Sequence, residues 1–347
     1  MTLSRRGFLC KLPAVAALPA VHALSGREAA AAPAGTGHAG HGGTEVPGES
    51  GRLLGHAGTR GRVDPRVNGF DPQEILRDFD AGTTSRLPDG RTLREWKVVA
   101  QEKEIEIAPG VKYPAWTYNG RVPGPTFRAR EGERLRITFI NGTRHAHTMH
   151  FHGIHRDNMD GVVGFGPGGH VNPGERYVYE FDAEPFGLHL YHCHTTPLAD
   201  HIAKGLYGTF IIDPKRGRPP ADELVMVMAG FDTNFDRSNE FYAVNTVAFE
   251  YMQRPVKVKR GELVRIYLVN VLEFDPLNSF HIHANFFHHF PTGTSLEPTE
   301  LTDTIVQGQG QRSILELRFP FAGRFMFHAH VSEFAELGWM GFFEVEE

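Results

Sequence analysis

The second half of the chain repeats the first half, and this repeat constrains the fold more than any other feature of the sequence. The segment GERLRI, which leads to Asn141, matches GELVRI, which leads to Asn270. An internal repeat is the signature of a duplicated structural unit, because each copy must bury the same face. The sequence therefore predicts two domains of like structure, over residues 95–215 and 220–347.

Each half has the residue pattern of short β-strands. Leu135–Ile140 alternates apolar and polar residues, and the 39 glycines and 23 prolines supply turn signals between runs of this kind. No segment of the first half has the pattern of a long amphipathic helix. We expect an all-β protein whose two domains are β-sandwiches or barrels, joined near Pro214–Pro220.

The N-terminal part of the chain is expected to lie outside these domains. Paired Arg5-Arg6 before a short apolar run predicts a twin-arginine export signal within residues 1–30. The run is too short for a stable membrane span. The mature protein is then expected in the periplasm, at the cell surface or outside a bacterium. Residues 31–94 are predicted to be a low-complexity linker and a flexible arm, with its histidines in a solvated linker.

Histidine is unusually abundant, at 20 of 347 residues, while the formal net charge is −5. This charge gives no indication of nucleic-acid binding. Four His-x-His pairs stand at matched places in the two halves: His150/His152, His192/His194, His281/His283 and His328/His330. On a strand each pair directs both imidazoles to one face. Burying eight imidazoles without partners is costly, so the pairs predict metal sites rather than packing.

Cys193 lies between His192 and His194, and its side chain is therefore expected on the opposite face of the strand. The other cysteine, Cys10, falls in the predicted signal, which leaves Cys193 without a disulfide partner. A thiolate beside imidazoles is a ligand set that selects copper or zinc. One short strand can therefore serve two metal sites, back to back, with the backbone as the connection between them.

Alternation also selects the other ligands around the cysteine. His147 is an odd number of residues from the pair that follows it, so it faces away from that pair. His147, Cys193 and His201 then form a His₂Cys set of the blue-copper type. Leu206 stands at the axial position and cannot ligate, which is expected to raise the redox potential. The second half lacks this set and has other residues at the equivalent positions: Asn278, Ala329 and Leu337.

These motifs resemble those of the multicopper oxidases, and among them the two-domain, laccase-like members built from cupredoxin domains. The resemblance covers both predicted domains. It implies two cupredoxin-like Greek-key β-sandwich or barrel domains and four coppers per chain, one type 1, one type 2 and two type 3. The implied ligands are His147, Cys193 and His201 for type 1; His150 and His281 for type 2; and His152, His192, His194, His283, His328 and His330 for type 3.

The resemblance implies the activity as well. A small reducing substrate, such as a phenol, an aromatic amine or a metal ion, would give up single electrons near the exposed edge of His201. Electrons would pass through Cys193 and its neighbours His192 and His194, and O₂ would be reduced to water. Asp160 and Glu333 are candidate proton donors. In two-domain members the halves of the trinuclear site meet between subunits, which implies a head-to-tail homotrimer.

Two alternatives remain open. Copper-containing nitrite reductase shares the two-domain plan, the trimer and a type 1 copper in the first domain. It needs only three histidines around one type 2 copper, so His152 and His194 would be superfluous. The second alternative is a non-catalytic copper-binding or electron-transfer protein, which would not need eight paired histidines.

Overall fold

The computed structural model describes residues 61–347, and strands dominate them. The predicted export signal and residues 31–60 of the predicted linker lie outside the described residues. The strands of the first half are β1 (Phe79–Asp80), β2 (Thr83–Arg86), β3 (Thr92–Ala108), β4 (Val111–Tyr118), β5 (Thr126–Arg130), β6 (Arg134–Asn141), β7 (His150–Phe151), β8 (Arg176–Asp182), β9 (Gly187–His192) and β10 (Tyr207–Asp213).

The second half contributes the remaining strands and two of the helices. Its strands are β11 (Asp222–Phe231), β12 (Phe241–Val244), β13 (Val256–Lys259), β14 (Val264–Asn270), β15 (Leu277–Ile282), β16 (Phe287–Pro291), β17 (Glu300–Thr302), β18 (Thr304–Gly308), β19 (Arg312–Leu317), β20 (Gly323–His328) and β21 (Met340–Glu346).

Helices are few and short within residues 61–347, so the predicted all-β class is confirmed. The α-helices are α1 (Pro65–Asn68), α2 (Pro72–Ile75), α3 (Leu198–Ala203), α4 (Glu250–Gln253) and α5 (Ser332–Glu336). Two 3₁₀ helices cover Asp157–Met159 and Pro167–Gly169. Among the described residues, no helix combines the length and the apolar character that a membrane crossing needs.

Each half forms two facing sheets, and the two halves share one pairing pattern. In the first half the sheet orders are β1-β5-β10-β9-β7 and β2-β3-β6-β8, with β4 also paired to β3. In the second half they are β13-β21-β20-β15-β18 and β12-β11-β14-β19-β16-β17. The parallel pair β3–β6 corresponds to β11–β14, and the antiparallel pair β9–β10 corresponds to β20–β21. The expected duplicated cupredoxin-like fold is confirmed.

Part of the predicted arm belongs to these sheets. β1 pairs in parallel with β5, and β2 pairs antiparallel with the start of β3. Both strands are very short, and all four residues of β2 are exposed. Strands of two to four residues carry too little alternation to be read from sequence.

Three apolar cores hold the described residues together. One fills the first half around Phe127 and Phe139, and one fills the second half around Phe280 and Phe327. The third joins the halves, because Tyr113 of β4 packs with residues of β11 and β12. Burial of this shared apolar surface stabilises the joint at about 25 cal/mol per Å².

An ion-pair network also crosses from one half to the other. Arg128 of β5 contacts Asp213 at 2.7 Å and Glu223 of β11 at 2.6 Å. Glu223 also accepts hydrogen bonds from Arg265 at 3.0 Å and from the Tyr267 hydroxyl at 2.6 Å. Arg265 is almost fully buried. A buried arginine requires such partners, because leaving its charge unpaired would cost several kcal/mol.

One asparagine occupies the same corner in both halves. Asn141, at the end of β6, donates to the carbonyls of His145 at 2.6 Å and Val171 at 2.9 Å. Asn270, at the end of β14, donates to the carbonyl of Gln307 at 3.1 Å. Both side chains are fully buried. The repeat therefore keeps an asparagine where loop carbonyls would otherwise be buried without a donor.

Replacing Asn141 with alanine should lower the free energy of unfolding by about 2 kcal/mol, because two buried carbonyls lose their donor. Urea unfolding of the copper-free protein measures the change. Asn172→Ala is the matched control, since this asparagine hydrogen-bonds only at the surface, to Glu175, and should change stability by less than about 0.5 kcal/mol. Equal losses of stability in the two variants would contradict a stabilising role of the Asn141 side chain.

Candidate metal centres

The structure brings His147, Cys193 and His201 together in what we call the Cys193 cluster. The Nδ1 atoms of the two histidines lie 3.1 Å apart, and the Cys193 sulfur lies 3.2 Å from His201 Nδ1 and 3.7 Å from His147 Nδ1. All three residues are buried. The Thr148 backbone N–H also points at the sulfur, at 3.4 Å. Two nitrogens and one sulfur converge here on one point, as a trigonal His₂Cys site requires.

Burial leaves these donors in the protonation states that suit a metal. It lowers the pKa of His147 to about 3 and that of His201 to about 4. Both imidazoles are therefore neutral at pH 7, with a lone pair available. Burial raises the pKa of Cys193, so this group is a thiol without metal and loses its proton when a cation binds.

The Cys193 cluster is covered, and the expected exposed edge of His201 is wrong for this chain. His201 is only 4% exposed, because it lies in α3 beneath the indole ring of Trp116. Leu206, predicted at the axial position, is fully buried. Its carbonyl accepts the Cys193 N–H at 2.9 Å. The sequence could not show that a tryptophan from β4 closes the cluster, because that contact joins strands far apart in the chain.

Four histidines meet in a first histidine cluster, formed by His150, His152, His192 and His194. β7 pairs with β9 so that His150 lies opposite His192. The ring centroid of His150 lies 4.9 Å from His152, 5.3 Å from His192 and 5.2 Å from His194. The Nε2 atoms of His152 and His192 approach to 2.8 Å. Cys193 points away from this cluster, so the predicted alternation places its two faces in two different sites.

A second histidine cluster of His281, His283, His328 and His330 repeats that geometry. β15 pairs with β20 so that His281 lies opposite His328. The ring of His281 lies 5.1 Å from His283, 5.3 Å from His328 and 5.3 Å from His330. The Nε2 atoms of His283 and His328 are 3.0 Å apart. The two clusters therefore share one arrangement of four imidazoles.

In both clusters hydrogen bonds at Nδ1 turn Nε2 towards the other histidines. The Nδ1–H of His192 donates to the Cys193 carbonyl at 2.8 Å, and that of His328 donates to the Ala329 carbonyl at 2.6 Å. His150 Nδ1 lies 2.8 Å from the Asp160 carbonyl. Such contacts fix the tautomer and direct the Nε2 lone pair to a metal.

The two histidine clusters lie apart in the single chain. Within the described residues, no group of three or more candidate ligand atoms joins the halves. The first cluster lines a cavity of about 260 Å³ whose far wall includes Glu273 and Gln309. In the second cluster, His283 and His330 are exposed.

Several residues that position the histidines were not predicted from sequence. The Thr148 hydroxyl accepts the His194 N–H at 3.1 Å, and the Ser279 hydroxyl accepts the His330 N–H at 2.8 Å. The two hydroxyls occupy equivalent positions, each two residues before the first histidine of a pair. Aligning the halves around Asn278 would have revealed this match, because Thr148 and Ser279 follow His147 and Asn278 directly.

The two predicted proton donors have different surroundings. An Asp160 carboxylate oxygen lies 2.8 Å from His150 Nδ1 and 3.3 Å from His155 Nε2. His155 was not predicted as a site residue. Glu333 is exposed in the first turn of α5, near Tyr242, whose pKa it helps to raise after burial and the Asp275 contact. Asp160 thus lies beside a cluster histidine.

Comparison with known proteins identifies the family. A family model described as multicopper oxidase matches residues 99–217, and a second with the same description matches residues 218–347. The chain belongs to the multicopper oxidase family. This family binds copper, and the neutral imidazoles of His147, His192 and His201 and the buried thiol of Cys193 suit that metal.

Solved structures support the membership of the chain in this family. A crystal structure of a multicopper oxidase is 65% identical, with a TM-score of 0.81, and the match covers 82% of this chain and 100% of that one. The copper nitrite reductase of Nitrosomonas europaea is 29% identical, with a TM-score of 0.66 over 74% of this chain and 94% of its own.

Curated relatives include proteins with other activities. The copper-containing nitrite reductase of Neisseria meningitidis is 29% identical over 255 residues, which are 67% of this chain and 64% of that protein. The copper resistance protein A homolog of Pseudomonas syringae is 34% identical over 133 residues, or 38% of this chain and 22% of its own length. The chain thus matches less than two thirds of the length of these relatives.

Acidification should destabilise the copper-free protein. His147 and His192 have folded pKa values of about 3 and about 4, against about 6.5 when unfolded. The unfolded chain binds more protons below pH 6.5, so stability that is complete above that pH is lost as the pH falls. Each such histidine should contribute about 1.4 kcal/mol per pH unit.

Urea unfolding at pH 7, 6 and 5 measures this slope. His192→Gln should make the dependence shallower, because one buried imidazole is removed. Asn172→Ala changes an exposed side chain that cannot ionise and should leave the slope as it is. An unchanged slope in the His192 variant would contradict the lowered pKa of this buried histidine.

Proposed function

We propose that the protein is a laccase-like oxidase that takes single electrons from a small reducing substrate, such as a phenol, an aromatic amine or a metal ion, and reduces O₂ to water. The observation that carries this proposal is the pair of histidine clusters with matched ring distances. If the first 30 residues direct twin-arginine export, the enzyme acts outside the bacterial cytoplasm.

The proposed ligand sets follow the clusters and correspond to four coppers per chain. Type 1 would be held by His147, Cys193 and His201; type 2 by His150 and His281; and type 3 by His152, His192, His194, His283, His328 and His330. Bound copper supplies the one-electron chemistry that joins single-electron donors to the four-electron reduction of O₂.

The chain supplies the connection between the sites. Cys193 faces one site while His192 and His194 face the other, so only backbone bonds separate them. The His192 Nδ1–H bond to the Cys193 carbonyl adds a second link at 2.8 Å. Thr148 contacts both sites, because its backbone N–H points at the Cys193 sulfur and its hydroxyl accepts the His194 N–H. This rigid unit keeps both donor sets in position.

Asp160 is proposed to deliver protons. Its carboxylate bridges His150 and His155, and His155 extends this contact away from the cluster. A carboxylate between two imidazoles can accept a proton from one side and release it on the other. Glu333 remains a second candidate, on the side of the second histidine cluster.

The proposed assembly is a head-to-tail homotrimer in which the first cluster of one copy meets the second cluster of the next. Exposure of His283 and His330 supports this arrangement, because neither is covered by its own chain. Exposed apolar side chains also occur in both halves, Phe165 at 57% in the first and Phe286 at 57% in the second. Such residues favour an interface with another protein surface. A ring closes this contact without leaving an open end.

Nitrite reduction is the second candidate, since nitrite reductases are 29% identical to this chain. It would use one type 2 copper with three histidines. A non-catalytic copper carrier would use neither O₂ nor nitrite.

His194→Gln separates these functions. We expect oxygen uptake with a phenol to fall at least about 100-fold, because one type 3 ligand is lost, while the blue absorption band persists. Oxygen electrode measurements, copper content and a nitrite assay on the same preparations test this. His170→Gln, at an exposed histidine of the first half, is the control and should keep parent activity. Unchanged turnover of nitrite in the His194 variant would contradict the oxidase.

Mixed assembly tests the proposed intersubunit site. His152→Ala breaks the first cluster and His283→Ala breaks the second. Each variant alone should be inactive. Co-expression should restore roughly a quarter of parent activity per site. In a randomly mixed head-to-tail ring, about a quarter of the contacts join an intact first cluster to an intact second cluster.

The matched control co-expresses His152→Ala with His194→Ala. Both lesions lie in the first cluster, so no ring contains an intact site and no activity should return. Failure of the His152 and His283 pair to recover activity would exclude a site shared between copies. Sedimentation of the parent protein gives the size of the ring independently.

A further inference from the structure

A surface cavity of about 460 Å³ opens directly above the Cys193 cluster. Its walls come from β3, β4, the loop after β6 and the end of α3. The lining residues are Glu102, Lys103, Glu104, Pro114, Ala115, Trp116, Arg144, His145 and Lys204. The cavity is large enough for a substituted phenol.

Trp116 lies between this cavity and the Cys193 cluster. Its ring centroid is 4.9 Å from that of His147 and 4.8 Å from that of His201. It lies 5.0 Å from the ring of exposed His145 on the outer side. The cluster residues are buried, whereas Trp116 is partly exposed. A donor in the cavity therefore reaches the cluster through the indole.

We propose that this cavity binds the reducing substrate, that the substrate is an aromatic donor carrying an anionic group, and that Trp116 conducts the electron to the Cys193 cluster. The inference rests on the proposed function and names the substrate class of its donor site. The electron would then enter through Trp116 and not through an exposed edge of His201.

The indole provides the apolar contact for such a donor. Flat aromatic rings stack on tryptophan with a gain of about 0.5–1.5 kcal/mol beyond the area they bury. Trp116 also packs against the core of the first half, so its ring is held in place. A donor stacked on this face would lie one ring away from two cluster histidines.

Lys204 provides the charge. Its ammonium lies 5.5 Å from the centre of the Trp116 ring and 4.6 Å from that of Phe235. The other cations of the wall are engaged: Arg144 pairs with Glu102 at 2.7 Å, and Lys103 donates to backbone carbonyls. Lys204 forms no ion pair of 4 Å or less with another described residue. It is therefore the cation best placed to meet a carboxylate or sulfonate on a donor stacked against Trp116.

A smaller neighbouring cavity of about 160 Å³ offers the competing route. It is lined by Tyr113, Phe235 and Phe274, with the acidic residues Asp200 and Asp232 and the cations Lys204 and Arg237. Within residues 61–347, none of these three aromatic rings contacts the ring of His147 or His201. The larger cavity is therefore the better donor site.

The proposed step transfers one electron. The phenol loses an electron and its hydroxyl proton and becomes a phenoxyl radical. The electron would pass through Trp116 to the copper that His147, Cys193 and His201 would hold, and that ion would gain the one electron. The proton leaves to water at the cavity mouth. Four such donors match the four electrons that one O₂ consumes.

Trp116→Leu tests the route, with Phe274→Leu as the matched control in the neighbouring cavity. Bleaching of the blue band by syringate, without oxygen, reports electron entry alone. We expect Trp116→Leu to slow it at least roughly tenfold, since the donor loses its contact with the cluster. Phe274→Leu should leave the rate unchanged. The opposite pattern, or parent rates in both variants, would overturn the proposal.

Lys204→Gln tests the substrate class without touching the ring that packs on the histidines. Calorimetry on the copper-free protein should give a roughly tenfold higher Kd for syringate, because a charged contact is lost. Binding of neutral 2,6-dimethoxyphenol should not change. Equal affinities of parent and variant for syringate would contradict the charged contact. If Trp116→Leu forms no blue band, this binding measurement decides alone.

Failure of this proposal and failure of the proposed function give different results. Binding and bleaching depend on the cavity and the Cys193 cluster, and O₂ is absent from both. Oxygen uptake and nitrite turnover depend on the histidine clusters. A protein that reduces nitrite while Trp116→Leu slows bleaching would retain the donor site and lose the oxidase assignment.

Discussion

Alternation at the end of β9 is the constraint on which the metal centres depend. Successive side chains of an extended strand point to opposite faces. His192 and His194 therefore enter the first histidine cluster while Cys193 enters the Cys193 cluster. A shift by one residue would exchange these faces and destroy both sites. The Cys193 N–H bond to the Leu206 carbonyl holds this register.

Burial gives the clusters their chemistry. Desolvation lowers the histidine pKa values far enough that the imidazoles remain neutral at pH 7. Backbone carbonyls then accept Nδ1–H and orient Nε2 inwards, in both halves. The same burial excludes donors from the Cys193 ligands. Covering the cluster with Trp116 thus protects it from water and makes the indole the nearest surface for a donor.

Much of the fold and of the candidate site could be predicted because its signals are local. The matched segments at Asn141 and Asn270 indicated two like domains, and spacing grouped His147, Cys193 and His201 before their distances were known. His155 was missed although its partner Asp160 lies only five residues further on. Thr148 and Trp116 were missed, since their contacts join segments that are distant in sequence. The exposed edge expected of His201 was wrong for the same reason: exposure depends on which distant side chain covers it.

The sequence by itself determined the duplication, the strand pattern and the pairing of histidines, because period-two alternation and repeat spacing are properties of neighbouring residues. Only the tertiary structure decided which surfaces those histidines reach. It left the first histidine cluster facing a cavity and the second open to solvent, and it placed Trp116 over the Cys193 cluster. These outcomes depend on packing between sheets, where residues distant in sequence exclude water from one another.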